Sequence, residues 1–114
     1  MRPNVFLALV SLSLPLAAAC RLPLASKTLM NGVAAARAGS WDEAVRQWKK
    51  ALDMGPDSAA ARNNLAVAYE KQGAFEEARK EYEAALRLDP GNGVIKDNYE
   101  RFKARLGAWR GRKP

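Results

Sequence analysis

The sequence contains no histidine and a single cysteine, Cys20, within 114 residues. Without histidine, a Ser-His-Asp triad, a histidine general base and a zinc site with histidine ligands are all excluded. One cysteine cannot form a disulfide within the chain. Acidic residues are also comparatively few, since 12 Asp and Glu stand against 19 Lys and Arg, a formal charge of +7. A chain of this length accommodates one small domain.

The first residues have the pattern of a secretory signal. Arg2 gives a positive start, residues 5–14 form an apolar run, and residues 17–19 are three alanines before a cleavage point. The apolar run has 10 residues, whereas a membrane-spanning helix needs roughly 20. We therefore expect residues 1–19 to be a signal peptide, in preference to an uncleaved membrane anchor or a buried helix.

Cys20 directly follows the three alanines, and this arrangement resembles the lipobox of bacterial lipoproteins. Ala17 stands where that family usually has a larger apolar residue. The resemblance implies that Cys20 is acylated and anchors the mature chain in the bacterial cell envelope. Arg21 occupies a position where Asp often retains lipoproteins at the inner membrane, which favours the outer membrane, facing the periplasm. The alternative is ordinary cleavage after Ala19, which leaves a soluble protein with a free thiol.

The rest of the chain repeats itself at a fixed period. When residues 33–56 are laid over residues 67–90, eight of the 24 aligned pairs are identical. The identical pairs are Val33/Val67, Ala34/Ala68, Gly39/Gly73, Glu43/Glu77, Ala44/Ala78, Ala51/Ala85, Leu52/Leu86 and Pro56/Pro90. A partial third copy is indicated because Trp109 follows Phe75 at the same offset. Self-similarity at such a period is typical of repeat proteins.

Each copy predicts two helices. Gly39 and Gly73 are placed where a first helix ends, since glycine adopts the left-handed conformation without strain. Ser40 and Glu43 have the spacing of a capping box at the start of the next helix. The candidate N-caps of the other helices are Asp57, Ser58 and Asn92. The expected helices span residues 25–38, 41–54, 59–72, 75–88 and 93–106.

These features resemble the tetratricopeptide repeat family, whose units are helical hairpins of about 34 residues. The second copy fills the family's positions with Leu65, Ala66, Tyr69, Ala78, Tyr82, Ala85 and Pro90. The first copy keeps Gly32, Ala44, Trp48, Ala51 and Pro56. The resemblance implies an all-α fold, a short right-handed superhelix with repeats at 25–58 and 59–92 and a capping helix at 93–106.

The last expected helix has an apolar stripe formed by Ile95, Tyr99, Phe102 and Leu106. Repeat arrays usually need about three units for stability, and this sequence contains two complete copies. We therefore expect the stripe to cover the second repeat and to be essential for folding.

The resemblance also implies a concave groove, lined by the first helix of each repeat, that binds a peptide or a partner helix. The residues expected to contact the partner are Asn63, Asn64, Val67, Glu70, Lys71, Asn98 and Arg101, with Leu29, Val33 and Ala36 beside them. Asn64 and Asn98 are spaced by one repeat period and are candidates for bonding an extended peptide backbone, although asparagine is also simply common at this repeat position. Leu29 and Val33 differ from the Lys and Asn of the carboxylate-clamp subset, so chaperone tails are not expected.

Residues 107–114 are expected to form a basic tail. Residues 96–114 hold seven Lys and Arg and two Asp and Glu. The tail either contacts anionic lipid, lipopolysaccharide or an acidic partner, or is a solvated, frayed end. The candidate membrane contacts are Trp109, Arg110, Arg112 and Lys113. An exported protein is not expected to bind nucleic acid.

The combined prediction is a lipid-anchored envelope adaptor that assists the assembly of a larger complex. Residues 20–24 would be a short tether of roughly 15–20 Å when extended. The alternatives are a soluble periplasmic adaptor and a self-associating structural protein, such as a homodimer. No enzyme, cofactor or metal site is expected, because Glu70 and Glu81 are carboxylates without a recognisable catalytic constellation around them.

Overall fold

The computed structural model describes residues 16–112, with side chains for residues 24–112. Five helices follow one another, joined by short turns. They are α1 Leu16–Arg37, α2 Trp41–Met54, α3 Ala59–Lys71, α4 Phe75–Leu88 and α5 Gly93–Arg110. α1 packs against α2, α2 against α3, and α3 against α4, while α5 lies against α4 and α3. The described part of the chain is therefore all-α, with two helical hairpins and a closing helix, as the repeat predicts.

The turns form where the sequence places them. Gly39 and Gly73 have φ angles of 77° and 74°, in the left-handed region. The Ser58 hydroxyl accepts a hydrogen bond from the backbone N–H of Ala61 at 3.1 Å. The Asn92 side-chain oxygen accepts from two N–H groups in the first turn of α5, at 3.1 and 3.3 Å. Ser58 and Asn92 are thus confirmed as N-caps, and each satisfies helix donors that have no partner within the helix. The alternative candidate for α3, Asp57, is not its N-cap.

The capping box predicted at the start of α2 is wrong. The Ser40 side chain makes no capping hydrogen bond. The Glu43 carboxylate instead accepts from Gln47 at 2.7 Å and from Arg46 at 2.5 Å. These hydrogen bonds, Gln47 first and then Arg46, hold the pKa of Glu43 below its usual value. The Glu43 carboxylate therefore bonds to side chains about one helical turn further along α2 and not to the backbone N–H of Ser40.

Two buried clusters hold the array together. The first lies between the hairpins and consists of Ala44, Val45, Trp48, Leu65 and Ala68. The second lies between α3, α4 and α5 and consists of Ala66, Ala78, Tyr82 and Phe102. In each cluster a large aromatic ring fills the space that the alanines leave between helix backbones. This arrangement explains why small and aromatic residues recur at the repeat period.

The apolar stripe of α5 covers the second repeat, as predicted. Ile95 and Phe102 are buried, and Tyr99 and Leu106 are half-buried. The Tyr82 ring centroid lies 5.5 Å from those of Tyr99 and Phe102. Aromatic pairs at this separation contribute beyond their buried area. α5 therefore serves as the capping helix of the second repeat.

The first helix begins earlier than the repeat predicts. α1 starts at Leu16, so residues 20–24 are helical and the expected extended tether is wrong. Leucine and alanine in the first turn of α1 are strong helix formers, although Pro23 removes one backbone donor. Residues 1–15 of the predicted signal peptide lie outside the described residues. Within residues 16–112, no helix combines the length and apolar character that crossing a membrane requires.

The last helix continues further than expected. Gly107 lies one repeat period after Gly73, yet its φ is not positive and α5 runs through it to Arg110. The prediction that the tail begins at residue 107 is therefore wrong, because residues 107–110 belong to α5. The continuation places the Trp109 ring 5.8 Å from the Phe75 ring, centroid to centroid. This aromatic contact favours a continued helix over the turn seen at Gly73.

Two glycine substitutions are expected to change stability in opposite directions. Gly107→Ala should stabilise the chain by about 0.5–1 kcal/mol, because alanine favours a helix interior and a Cβ there meets no atom within 4 Å. Gly73→Ala should destabilise it by about 1–2 kcal/mol, because its φ of +74° strains any Cβ. Chemical denaturation of both variants measures the difference. Destabilisation by both would mean that α5 ends in a turn at Gly107.

Candidate functional site

The inner faces of α1, α3 and α5 form, together with tryptophans of α2, a cavity of about 420 Å³, which we call the central groove. Its lining consists of Val33, Ala36, Arg37, Trp41, Trp48, Asn63, Asn64, Val67, Val94 and Asn98. Tryptophan, valine and alanine supply apolar surface, and three asparagines supply amide groups. Apolar walls with a few placed polar groups are typical of ligand-binding cavities.

The three asparagines of the groove differ in their bonding. Asn98 donates from Nδ2 to Oδ1 of Asn63 at 3.1 Å, and its own Oδ1 accepts from Arg101 at 2.6 Å. Arg101 does not line the groove itself, but it hydrogen-bonds to Asn98, which does. Asn64 makes no side-chain hydrogen bond with any other residue of the described chain. Of the predicted pair Asn64 and Asn98, only Asn64 has its whole amide available to a partner.

A second cavity, of about 390 Å³, lies where α3 ends, α4 begins and α5 makes its last turns; we call it the C-terminal pocket. Its lining consists of Glu70, Lys71, Phe75, Phe102, Arg105, Leu106, Ala108, Trp109 and Arg112. The predicted binding residues Glu70 and Lys71 line this pocket and not the central groove. Glu70 accepts a hydrogen bond from the Tyr82 hydroxyl at 2.9 Å and forms an ion pair with Arg105.

The tetratricopeptide repeat model matches residues 29–93, more than half of the chain. This protein belongs to the tetratricopeptide repeat family. The comparison with curated proteins found no match. The matched segment includes all of α2, α3 and α4 and reaches the first residue of α5. The central groove thus lies among the helices of a tetratricopeptide array, a fold that typically serves as a scaffold for protein interactions.

The four residues predicted to contact a membrane do not share one location in this tetratricopeptide array. Trp109 packs against Phe75. Trp109 and Arg112 both line the C-terminal pocket. The Arg110 guanidinium lies 3.9 Å from the Glu76 carboxylate on α4. Lys113 lies outside the described residues. A frayed tail from residue 107 is therefore wrong for residues 107–110, and the spacing of Phe75 and Trp109 by one repeat period was the sequence signal for their contact.

The groove also contains residues that the sequence prediction missed, and it lacks four that were expected, namely Leu29, Glu70, Lys71 and Arg101. Arg37 follows Val33 by one helical turn, so helical phase was sufficient to find it. Trp41 and Val94 lie in the first turns of α2 and α5, where the packing of neighbouring helices decides which way a side chain points. Leu29 lines a different cavity, and its carbonyl accepts the indole N–H of Trp48 at 3.1 Å.

We predict that the free energy of unfolding depends on pH through the Tyr82 hydroxyl. Burial, and then the hydrogen bond to Glu70, raise the pKa of Tyr82 above its usual value. The unfolded chain therefore loses this proton first, near pH 10, and the stability that Tyr82 provides is lost as the pH rises further. Tyr82→Phe should cost about 1 kcal/mol at neutral pH. Denaturation of both proteins should show this difference shrinking above about pH 10, whereas a constant difference would contradict the assignment.

Proposed function

We propose that this protein is a lipid-anchored adaptor of the bacterial cell envelope, which binds a partner peptide or helix in its central groove and helps to assemble a larger complex. The groove is the observation that carries the proposal. Its cavity of about 420 Å³ falls within the range of about 300–1,000 Å³ that is typical of binding sites. It combines the apolar surface of Trp41, Trp48 and Val67 with an available amide at Asn64.

Asn64 suits recognition of a polypeptide backbone. Each residue of an extended segment presents one N–H donor and one C=O acceptor. An asparagine amide both accepts and donates, so it can bond the two groups of one partner residue. Asn63 and Asn98 stabilise the wall behind it by bonding to each other. The groove therefore offers one backbone-binding group beside surfaces for apolar side chains.

The anchor is proposed from the pattern of residues 17–20, three alanines before the single cysteine. Since α1 includes Cys20, an acyl group there would be attached directly to the first helix of the array. Residues 20–24 rise only about 6–8 Å along a helix, so the array would lie close to the lipid headgroups. Firm anchoring needs two or more acyl chains, because one chain binds only marginally.

Cys20→Ala is the test of the anchor, with Ser26→Ala as a control in the same helix. In a bacterial host, the wild type and the control are expected in the membrane fraction, with acyl chains on Cys20 detected by mass spectrometry. Cys20→Ala is expected to leave the membrane fraction or to accumulate as precursor. An unmodified Cys20 at the mature N-terminus would overturn the lipid anchor and favour a soluble periplasmic adaptor.

A photo-crosslinking amino acid at position 94 tests the groove, because Val94 lines the groove and is exposed, and its replacement leaves the Asn64 amide in place. The same amino acid at exposed Lys50 of α2 is the matched control. Position 94 is expected to give a discrete crosslinked product that position 50 does not give. A product of twice the mass of the chain would favour the self-associating alternative. Identical products at both positions, or none at position 94, would contradict a partner in the groove.

A further inference from the structure

We propose that the C-terminal pocket selects acidic partners: it receives an acidic side chain and a neighbouring large apolar side chain from the segment that occupies the central groove. The proposal rests on the proposed groove function and adds the chemistry of the partner. Three features carry it, namely the aromatic floor of the pocket, its charge and its position beside the groove.

The pocket exists because α5 continues beyond the repeat pattern. In the preceding repeat the chain turns at Gly73, whereas at the equivalent Gly107 the helix goes on to Arg110. Trp109 then lies over Phe75, with 5.8 Å between ring centroids, and Phe102 lies 6.4 Å from Phe75. These rings give the pocket an apolar floor. Its volume of about 390 Å³ suits a large side chain with a neighbouring group.

The charge of the pocket is positive. Its lining holds three cations, Lys71, Arg105 and Arg112, and one carboxylate, Glu70, a net charge of +2. Glu70 is already bonded to the Tyr82 hydroxyl and to Arg105. The central groove adds the cation of Arg37, and its lining includes no acidic residue. A ligand with carboxylates therefore complements the whole surface.

The two cavities are neighbours, which favours a polypeptide that extends from one into the other. The Lys71 ammonium, in the lining of the C-terminal pocket, lies 5.9 Å from the centre of the Trp41 ring, in the lining of the groove. A flat anionic membrane fits less well, because the aromatic rings line a cavity and not a flat surface. In addition, Arg110 lies beside Glu76 on α4 and not in the pocket lining. A peptide segment is therefore the occupant that geometry and charge favour.

A library of random peptides displayed on phage is the probe, panned against the full chain in a neutral detergent. The enriched peptides are expected to place Asp or Glu close to Phe, Trp or Leu. One enriched peptide, made synthetically, is then titrated against the double variant Lys71→Gln/Arg112→Gln. The matched control is Lys50→Gln/Arg87→Gln, which removes the same charge from exposed sites on α2 and α4. The pocket variant should bind about tenfold more weakly, and the control should bind like the wild type.

The other outcomes separate this proposal from the proposed groove function. Peptides that lose affinity in Asn64→Ala but not in the pocket variant would overturn the acidic selection and leave the groove function standing. Equal losses in the pocket and control variants would also overturn it, since the effect would then be one of net charge. No enriched peptide at all would overturn both. If the pocket variant lost binding to anionic vesicles while peptide affinity stayed the same, the pocket would be a lipid site and the proposal would be wrong.

Discussion

Deletion of residues 93–114, which removes α5, is expected to abolish cooperative unfolding of the chain. Ile95 and Phe102 are 2% and 1% exposed, and burial of such a side chain contributes about 1.5–3 kcal/mol. Tyr99 and Leu106 add their half-buried surfaces. Because total stability is typically only about 5–15 kcal/mol, this loss is a large share of it. The truncation also exposes the face of Tyr82 and Ala66 to water.

Circular dichroism during heating measures this effect, and a shorter truncation is the control. Deletion of residues 111–114 removes no part of α5 and is expected to leave the melting curve nearly unchanged. The longer truncation should give a broad, low transition or an aggregated protein. Phe102→Ala, expected to cost about 3–5 kcal/mol, tests the same contact with the chain length kept. A truncated chain with the helical signal and melting temperature of the wild type would show that α5 is not the cap.

Gly32→Ala is expected to be the most damaging single-methyl change in the array. A Cβ at Gly32 would lie 2.3–2.7 Å from three ring atoms of Trp48. Trp48 is 3% exposed, and its indole N–H donates to the Leu29 carbonyl at 3.1 Å. The ring therefore has little room to move without losing that hydrogen bond. Overpacking costs about 1–3 kcal/mol and an unsatisfied buried donor a similar amount, so about 2–4 kcal/mol is expected after the gain in helix propensity.

This loss corresponds to a fall in melting temperature of roughly 10–20 °C for a domain of this size. Gly93→Ala is the matched control, because a Cβ there meets no atom within 4 Å. A second check is the double variant Gly32→Ala/Trp48→Phe, in which the smaller ring leaves space for the methyl group. Its destabilisation should be less than the sum of the two single changes, since the residues share one contact. Equal melting temperatures for Gly32→Ala and Gly93→Ala would contradict the clash.

The helices and their order follow from the sequence because their causes are local or periodic. The predicted spans 41–54 and 75–88 are those of α2 and α4, and the end of α3 differs by one residue. Gly39 and Gly73 end helices because glycine alone adopts a positive φ without strain. Small and aromatic residues that recur at the repeat period, such as Ala44 with Ala78 and Trp48 with Tyr82, are the ones buried in the core. Such signals depend on helical phase and backbone conformation, which neighbouring residues determine.

The candidate sites, by contrast, depend on contacts between residues far apart in the chain. Asn98 bonds to Asn63 on another helix of the array, and that contact decides that Asn64 is the available amide. Gly107 has the sequence position of a turn, yet the packing of Trp109 on Phe75 continues the helix and creates the C-terminal pocket. The sequence by itself determined the repeat, its helices and its core, because these obey local periodicity. The tertiary structure decided where the last helix ends and which polar groups remain available. The reason is that the competing partners of a side chain come within contact distance only when the helices pack.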